Sequence, residues 1–253
     1  MVLKLESIGQ MVIKWQRFLI SKGYDIGSLD GIFGSKTEKA TKDWQKKNGL
    51  TDDGMVGDKS FAKAKTQGLE YSETSVWFPP RPNFESPSTK RVKELFGSFE
   101  YKRINSSEIR ILGDWVSDNI VKVTIKQLIG VEAAPADGII RFHKKGALQI
   151  KGFFNEIEKQ NLNDLVISWA GSFYPRLVRG SSATLSNHSW GTAFDINAPE
   201  NWLGQRPAKV GAKGSLLKLV LIANAFGFFW GGHYQNRLDG MHFELAVLDK
   251  FPV

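Results

Sequence analysis

Two short stretches of this chain concentrate the residue types that can do chemistry. The first is Leu185-Ser186-Asn187-His188-Ser189-Trp190-Gly191-Thr192-Ala193-Phe194-Asp195; the second is Gly227-Phe228-Phe229-Trp230-Gly231-Gly232 followed by Asp239-Gly240-Met241-His242-Phe243-Glu244. The chain has 0 cysteines and 4 histidines. Without cysteine there can be no disulfide framework, thiolate zinc site, iron–sulfur cluster or thiol nucleophile. Any metal must be held by His, Asp and Glu, with histidine enough for about one site. Two histidines and an aspartate would give a zinc ion three protein ligands and leave the fourth position open for water, the arrangement of a catalytic site. Two neutral imidazoles and one carboxylate leave the ion a residual positive charge, which favours hydroxide near neutral pH. A serine-protease reading of Ser186 with His188 fails, because a hydroxyl so close along the chain seldom meets its own base and no G-x-S-x-G elbow is present.

These residues need elements to position them. Ile120 to Ile125, rich in β-branched residues, reads as a strand, and Lys145 to Lys159 as an amphipathic helix with Leu148, Phe153 and Ile157 on one side. Leu165-Val166-Ile167-Ser168-Trp169 reads as a buried strand and Leu216 to Phe226 as a helix. Strands and helices alternate without a regular βαβ period, so the class is α+β. Residues 93–140 carry the weakest signal.

The N-terminal part has a different texture. Val12, Trp15, Phe18 and Leu19 recur at helical spacing and Gly23 closes that segment as a C′ glycine. Ser35-Lys36-Thr37-Glu38 reads as a capping box opening a second helix with Ala40 and Trp44 one turn apart, ended by Gly49. Asp58 is expected to cap a short third helix bearing Phe61 and Ala64. Two similar turns, Asp30-Gly31-Ile32-Phe33-Gly34 and Asp53-Gly54-Met55-Val56-Gly57, punctuate the unit. They are not calcium loops, since Ile32 and Gly34 stand where an EF-hand needs oxygen ligands. Residues 1–66 therefore form one domain. Residues 67–92, with Tyr71-Ser72-Glu73-Thr74-Ser75, Pro79-Pro80-Arg81-Pro82-Asn83 and Ser86-Pro87-Ser88, read as a Pro/Ser-rich linker, and residues 93–253 as a second domain.

Composition sets the outer bounds. At 253 residues, 42 % hydrophobic and 24 % charged, the chain is globular, and a net charge of +8 implies an anionic partner or surface. The basic residues are dispersed among acidic ones and no helix-turn-helix or RNP-like motif stands out, so no nucleic acid is expected as a partner. The apolar stretch from Leu216 to Trp230 is broken by Lys218, Asn224 and Gly227 and is too short for stable membrane insertion. Met1-Val2-Leu3-Lys4-Leu5-Glu6 does not lead into an apolar h-region, so no secretory signal peptide is expected.

Two resemblances sharpen this reading. Gln16, the first Asp-Gly-x-x-Gly turn, Thr37, Ala40, Gln45, Gly49-Leu50 and the second such turn closely resemble the bacterial peptidoglycan-binding domain over residues 8–65. The resemblance implies a three-helix wall-anchoring bundle, with Asp30, Gly31, Gly34, Asp53, Gly54 and Gly57 as its cell-wall-binding signature. Ser-x-His-x-x-Gly-x-Ala-x-Asp, then Trp-Gly-Gly and Asp-x-x-His-Phe-Glu, resemble the M15 family of zinc peptidases, which includes VanY-type D-Ala-D-Ala carboxypeptidases, L-Ala-D-Glu endopeptidases and many bacteriophage endolysins. That resemblance runs from His143 to Leu245 and implies a Hedgehog/DD-peptidase type α+β domain with one Zn²⁺ per chain. On it, His188, Asp195 and His242 are the metal ligands and Asp239 takes the place of the catalytic carboxylate.

The family also has an arginine at a strand end before its first histidine. Here Arg176 and Arg179 both qualify, Arg176 being closer to the strand end. Ser186 supports the site through a hydrogen bond or stabilises a turn; Asn197 holds Asp195 or caps a turn; Glu244 orients a ligand or pairs with a lysine. His233 and Trp230 border the substrate side, although tryptophans such as Trp190 and Trp230 are more often core. His143, among Arg141, Lys144 and Lys145, is expected on a solvated basic edge.

The function implied is that of a modular endolysin: a monomer made in the host cytoplasm, reaching the wall after holin-type release and cutting the peptidoglycan stem peptide at the L-alanyl-D-glutamate bond. D-alanyl-D-alanine carboxypeptidase activity is the alternative. A non-catalytic wall-binding protein is the remote one, since such a protein would be expected to have lost a ligand or the base.

Overall fold

The computed structural model describes residues 2–69 and 78–252. The chain divides into two compact units: Met1–Asn83 with Leu217–Ala225 and Pro252–Val253 make one, Phe84–Leu216 with Phe226–Phe251 the other. The linker segment Tyr71-Ser72-Glu73-Thr74-Ser75 lies outside the described residues. No helix among the described residues is long and apolar enough to cross a membrane.

The first unit contains α1 (Gln10–Ser21), α2 (Ser35–Lys47) and α3 (Asp58–Thr66). Their apolar faces meet in an aromatic cluster in which Trp15 stands edge-on to Trp44 (5.2 Å) and Phe61 (6.2 Å). Gly23 takes the left-handed conformation expected after α1, with φ 84°. The capping expectations need correction. Gly34 and Gly57, not Ser35 and Asp58, are the N-caps of α2 and α3, and neither makes a side-chain cap. Each helix begins one residue earlier than expected, so Ser35 and Asp58 are already helical and Glu38 pairs with Lys42 instead (3.0 Å).

The two turns are built alike. Gln16 Nε2 donates to Asp30 Oδ1 (3.0 Å), Ile32 O (3.0 Å) and Thr37 Oγ1 (3.3 Å), while its Oε1 accepts from Gly31 N (2.9 Å). Gln45 repeats this on Asp53 Oδ1 (3.1 Å), Met55 O (2.8 Å), Ser60 Oγ (3.1 Å) and Gly54 N (2.9 Å). A buried amide with a donor group and an acceptor satisfies several turn groups at once. Asp30 and Asp53 are thus tied into turn construction, and Gly31 and Gly54 supply the positive φ (74° and 77°) the turns require. Helix α7 (Leu217–Ala225), grouped with this unit, buries 8 of its 9 residues, all but Lys218, matching a sequence that is apolar apart from Lys218 and Asn224.

In the second unit α4 (Thr89–Phe96) starts from Ser88, whose side chain accepts from Arg91 N. A hairpin of β1 (Tyr101–Arg103) and β2 (Ile109–Ile111) follows, then α5 (Trp115–Asn119). The expected strand at Ile120 is β3 (Ile120–Thr124), paired antiparallel with β4 (Ile139–His143). The expected helix is α6 (Ala147–Lys159), but Leu148 is 71 % exposed rather than on the buried side. The core face is set by Ile150, Phe153, Phe154 and Ile157, which recur every three to four residues and leave Leu148 off the stripe. His143 is also corrected. It is fully buried, with Phe96 of α4 and Trp115 of α5 covering its ring at 4.9 and 5.8 Å. The predicted strand over 165–169 is a 3₁₀ turn (Asn163–Leu165) leading into the short β5 (Trp169–Gly171).

A four-stranded antiparallel sheet in the order β5-β6-β8-β7 carries the chemistry, with β6 (Ala193–Ile196), β7 (Phe228–Trp230) and β8 (His242–Leu245). Alternation along a strand sends neighbouring side chains to opposite faces. Phe194 and Phe243 stack on each other (5.3 Å) and meet Phe153 of α6 at 5.5 and 6.1 Å. The alternate positions Asp195, His242 and Glu244 therefore share the other face.

Candidate active site

Register delivers two of the chemical groups to one place: Asp195 on β6 pairs directly with His242 on β8. The third, His188, arrives on the 3₁₀ turn Asn187–Trp190, which ends on Gly191 in the left-handed conformation (φ 64°). A Cβ at Gly191 would lie 2.8 Å from Ile120 Cδ1 and 3.2 Å from His143 N, so the turn can sit this close to β3 and β4 only with glycine. His143 N–H donates to Gly191 O at 2.7 Å and pins the turn.

His188 Nδ1 lies 2.6 Å from Ser172 O, to which it can only donate, so Nε2 keeps its lone pair. That Nε2 faces Asp195 Oδ2 (3.2 Å) and His242 Nδ1 (3.2 Å), while His242 Nδ1 lies 2.8 Å from Asp195 Oδ1. With both rings neutral and the outer nitrogens donating, three lone-pair donors point at one another, a repulsive arrangement that a proton on His242 or a metal cation held between the three resolves. These three side chains, all buried, offer ligand atoms within 4.8 Å of one another. Two imidazoles and a carboxylate are a donor set that zinc accepts, so the residues fit a metal ion.

The electrostatics agree. Burial opposes the charge on Asp195, yet His188 and His242 beside it hold its carboxyl well below the usual range. Burial pushes the His242 imidazole down, but Asp195 and Glu244 more than reverse this and raise its proton affinity well above the ordinary value. In both cases the cluster calls for positive charge.

Asp239 stands just before β8. Its backbone N–H donates to Gly231 O (3.0 Å), and a Cβ at Gly231 would lie 2.6 Å from Asp239 O, which explains the glycine at this position. Burial raises its carboxyl's pKa above the ordinary value. Together with Asp195, His242, Ser186, Arg176 and Arg179 it lines a cleft of about 230 Å³.

The His188 turn and the arginine segment are laced together: Ser186 N donates to Arg176 O (3.0 Å), Arg176 N to Ser189 Oγ (2.9 Å), and Ser189 Oγ back to Arg176 O (2.8 Å). Burial lowers the Arg176 pKa, while the charges of Asp195 and, less strongly, Asp239 raise it; an arginine stays cationic throughout. Arg179 is exposed, its guanidinium 5.1 Å from the Trp202 ring.

The structure does not bring every candidate to the cleft. Trp230 is fully buried and its indole donates to Gly240 O (2.7 Å), bracing the turn between Asp239 and His242. His233 is buried with its ring edge-on to Trp230 (5.1 Å) and Phe229 (6.0 Å). Neither lines the cleft. Asn197 neither bonds Asp195 nor acts as a side-chain helix cap. Its Oδ1 accepts from Ile167 N (2.9 Å) and Ser168 N (3.1 Å), and its Nδ2 donates to Leu165 O (2.7 Å), stapling the chain entering β5.

Sequence reasoning missed Arg237, Tyr234 and Ser86, all of which line the cleft. Arg237 Nη2 donates to Arg179 O (2.8 Å). Arg237 and Tyr234 lie between the two motif pieces and could have been sought there; nothing in the sequence marks Ser86.

Comparison with known proteins adds to this geometry. Residues 179–245 match the D-alanyl-D-alanine carboxypeptidase family of M15 peptidases, and residues 9–63 match the peptidoglycan binding domain family. Among solved structures, a peptidoglycan-binding protein from Clostridioides difficile in complex with glutamine hydroxamate is 38 % identical over 25 % of this chain and 40 % of that one, TM-score 0.25. The Burkholderia AP3 phage endolysin is 30 % identical over 29 % and 27 % respectively, TM-score 0.25. The SleB N-terminal domain is 31 % identical over 28 % and 94 %, TM-score 0.26. This chain thus spans well under two thirds of the first two structures it matches. The chain carries an N-terminal peptidoglycan-binding domain and a C-terminal M15 peptidase domain.

Proposed function

We propose that the chain is a modular endolysin, a zinc metallopeptidase that cleaves the peptidoglycan stem peptide at the L-alanyl-D-glutamate bond. Residues 1–66 serve as the wall anchor, 67–92 as a linker whose last residues pack on the second domain along its cleft, and 93–253 as the catalytic domain. The observation that carries this reading is the convergence of His188 Nε2, His242 Nδ1 and the Asp195 carboxylate on one point, beside a cleft that also holds Asp239 and Arg176. Zinc held by these three residues supplies a Lewis acid for the scissile carbonyl and a lowered pKa for the attacking water.

The protein's own groups do the rest. Asp239 takes the proton from the attacking water and passes it to the leaving amine, a task helped by a carboxyl whose pKa burial has raised. Arg176 stabilises the charge that develops on the carbonyl oxygen, with Arg179 as the more exposed alternative. The first domain raises the local concentration of the enzyme on an insoluble polymer, and the net charge of +8 suits an anionic envelope. Asp at position 239, where the family has Glu in some members and Asp in others, favours the endopeptidase; the description of the family matched over 179–245 keeps the D-Ala-D-Ala carboxypeptidase as the second reading. The protein acts as a monomer at the wall, released there by a separate membrane-permeabilising protein.

The test is mass spectrometry of purified peptidoglycan digested by the protein, with and without a zinc chelator and with Asp239→Ala alongside. New D-Glu amino termini that vanish with chelator and in the variant are expected. Loss of a single terminal D-Ala would move the enzyme to the carboxypeptidase branch. No zinc-dependent product from any wall type would overturn the catalytic reading.

A further inference from the structure

Glu244 shares the site face of the sheet with Asp195 and His242, is 2 % exposed, and has both oxygens occupied. Its Oε1 accepts from Ser86 Oγ (2.5 Å) and Tyr234 Oη (2.8 Å); its Oε2 accepts from Asn187 Nδ2 and faces His242 Nε2 at 3.5 Å. A carboxylate is tolerated at this depth only when its lone pairs are satisfied. Here the satisfying groups come from separate stretches of chain, and the most distant is Ser86, 158 positions away and outside the matched region 179–245.

Ser86 belongs to a short strap, Phe84 to Thr89, held at both ends. Lys250 Nζ sits 4.4 Å over the Phe84 ring, and Ser88 accepts from Arg91 N (3.2 Å) as the cap of α4. Between these anchors Ser86, Pro87 and Thr89 line the same cleft as Asp239 and Arg176.

We propose that this strap is a working part of the site. Ser86 is a positioning residue that acts through Glu244 to fix the His242 ring, and Pro87 with Thr89 forms one wall of the substrate cleft. When His242 Nε2–H points to Oε2, Nδ1 keeps its lone pair for a metal. At 3.5 Å that bond depends on how the carboxylate plane is turned, and the two hydroxyls on Oε1 set that turn. Without Ser86 the carboxylate rotates more freely and the ring loses its fixed orientation. The inference rests on the zinc-peptidase reading given above.

The experiment measures zinc affinity of the full chain by competition with a chromogenic chelator, with metal-free thermal unfolding of each variant in parallel. Glu244→Gln is expected to weaken zinc binding about 10- to 100-fold, the usual effect of removing such a support. Ser86→Ala should weaken it roughly three- to tenfold, the worth of about one hydrogen bond, and Ser86→Thr should restore most of the loss. Should Ser86→Ala not fold, Tyr234→Phe removes the other Oε1 hydroxyl and is expected to weaken zinc binding to a similar degree. Unchanged zinc affinity with lowered metal-free stability would make Ser86 a brace and overturn the proposal while leaving the peptidase reading standing. Wild-type protein that binds no zinc would overturn both.

Discussion

His143 offers a stability prediction that can be worked through from its surroundings. The ring is fully buried, and burial, aided by nearby Lys145 and Lys144, pushes its pKa from 6.5 down to about 4. Above pH 6.5 neither the folded nor the unfolded chain protonates this residue, and its full packing contribution is present. As pH falls below 6.5 the unfolded chain takes up a proton that the folded chain cannot accept until about pH 4, so stability falls. Across the shift the slope is ~1.4 kcal/mol per pH unit, and between pH 7 and pH 5 the loss is about 2 kcal/mol. The consequence reaches the site, because the His143 backbone N–H holds Gly191 and the turn bearing His188. Urea unfolding of the wild type and of His143→Phe, each at pH 7 and pH 5, isolates the effect. The wild type should lose about 2 kcal/mol more than the variant over that interval. Equal losses in the two proteins would refute the buried, neutral histidine.

Three further outcomes are expected. Asp239→Asn should lower peptide hydrolysis by roughly 10²- to 10⁴-fold while leaving zinc content unchanged, because it removes the proton acceptor and not a ligand; metal analysis beside a rate assay checks both halves. Gln16→Ala should destabilise the first domain by about 2–4 kcal/mol, since the amide holds three groups of one turn and Thr37 of α2, and Gln45→Ala should cost a similar amount in chemical denaturation. Gly227→Ala should cost on the order of 3 kcal/mol or more, the left-handed strain and the overpacking adding together. Its φ is 80° and a Cβ there would lie 2.2 Å from Val247 O; a melting temperature near that of the wild type would contradict this.

Much of the molecule was legible in its residues, and the reason is local. The three helices of the first unit follow from apolar spacing and paired Asp-Gly turns, since periodicity and turn chemistry act over a few residues. The absence of cysteine already required that any metal be held by His, Asp and Glu, while the choice of His188, Asp195 and His242 came from the resemblance to the zinc peptidases. For Glu244 the residues offered two roles, orienting a ligand or pairing with a lysine, and the structure sets it against His242 (3.5 Å).

What the sequence left open was decided by contacts between distant segments. Nothing around His143 announces burial, because its neighbours are basic and the rings that cover it come from α4 and α5. Trp230 and His233 sit in a motif that suggests a cleft, yet packing turns both inward behind the Asp239 turn. The 3₁₀ turn at 163–165 took the place of a predicted strand because Asn197, far along the chain, supplies the hydrogen bonds a neighbouring strand would have given. Ser86 reaches Glu244 across 158 residues. Local patterns place most of the helices and turns, but a buried polar group must find its partner wherever the chain happens to pass, and only the tertiary fold decides where that is.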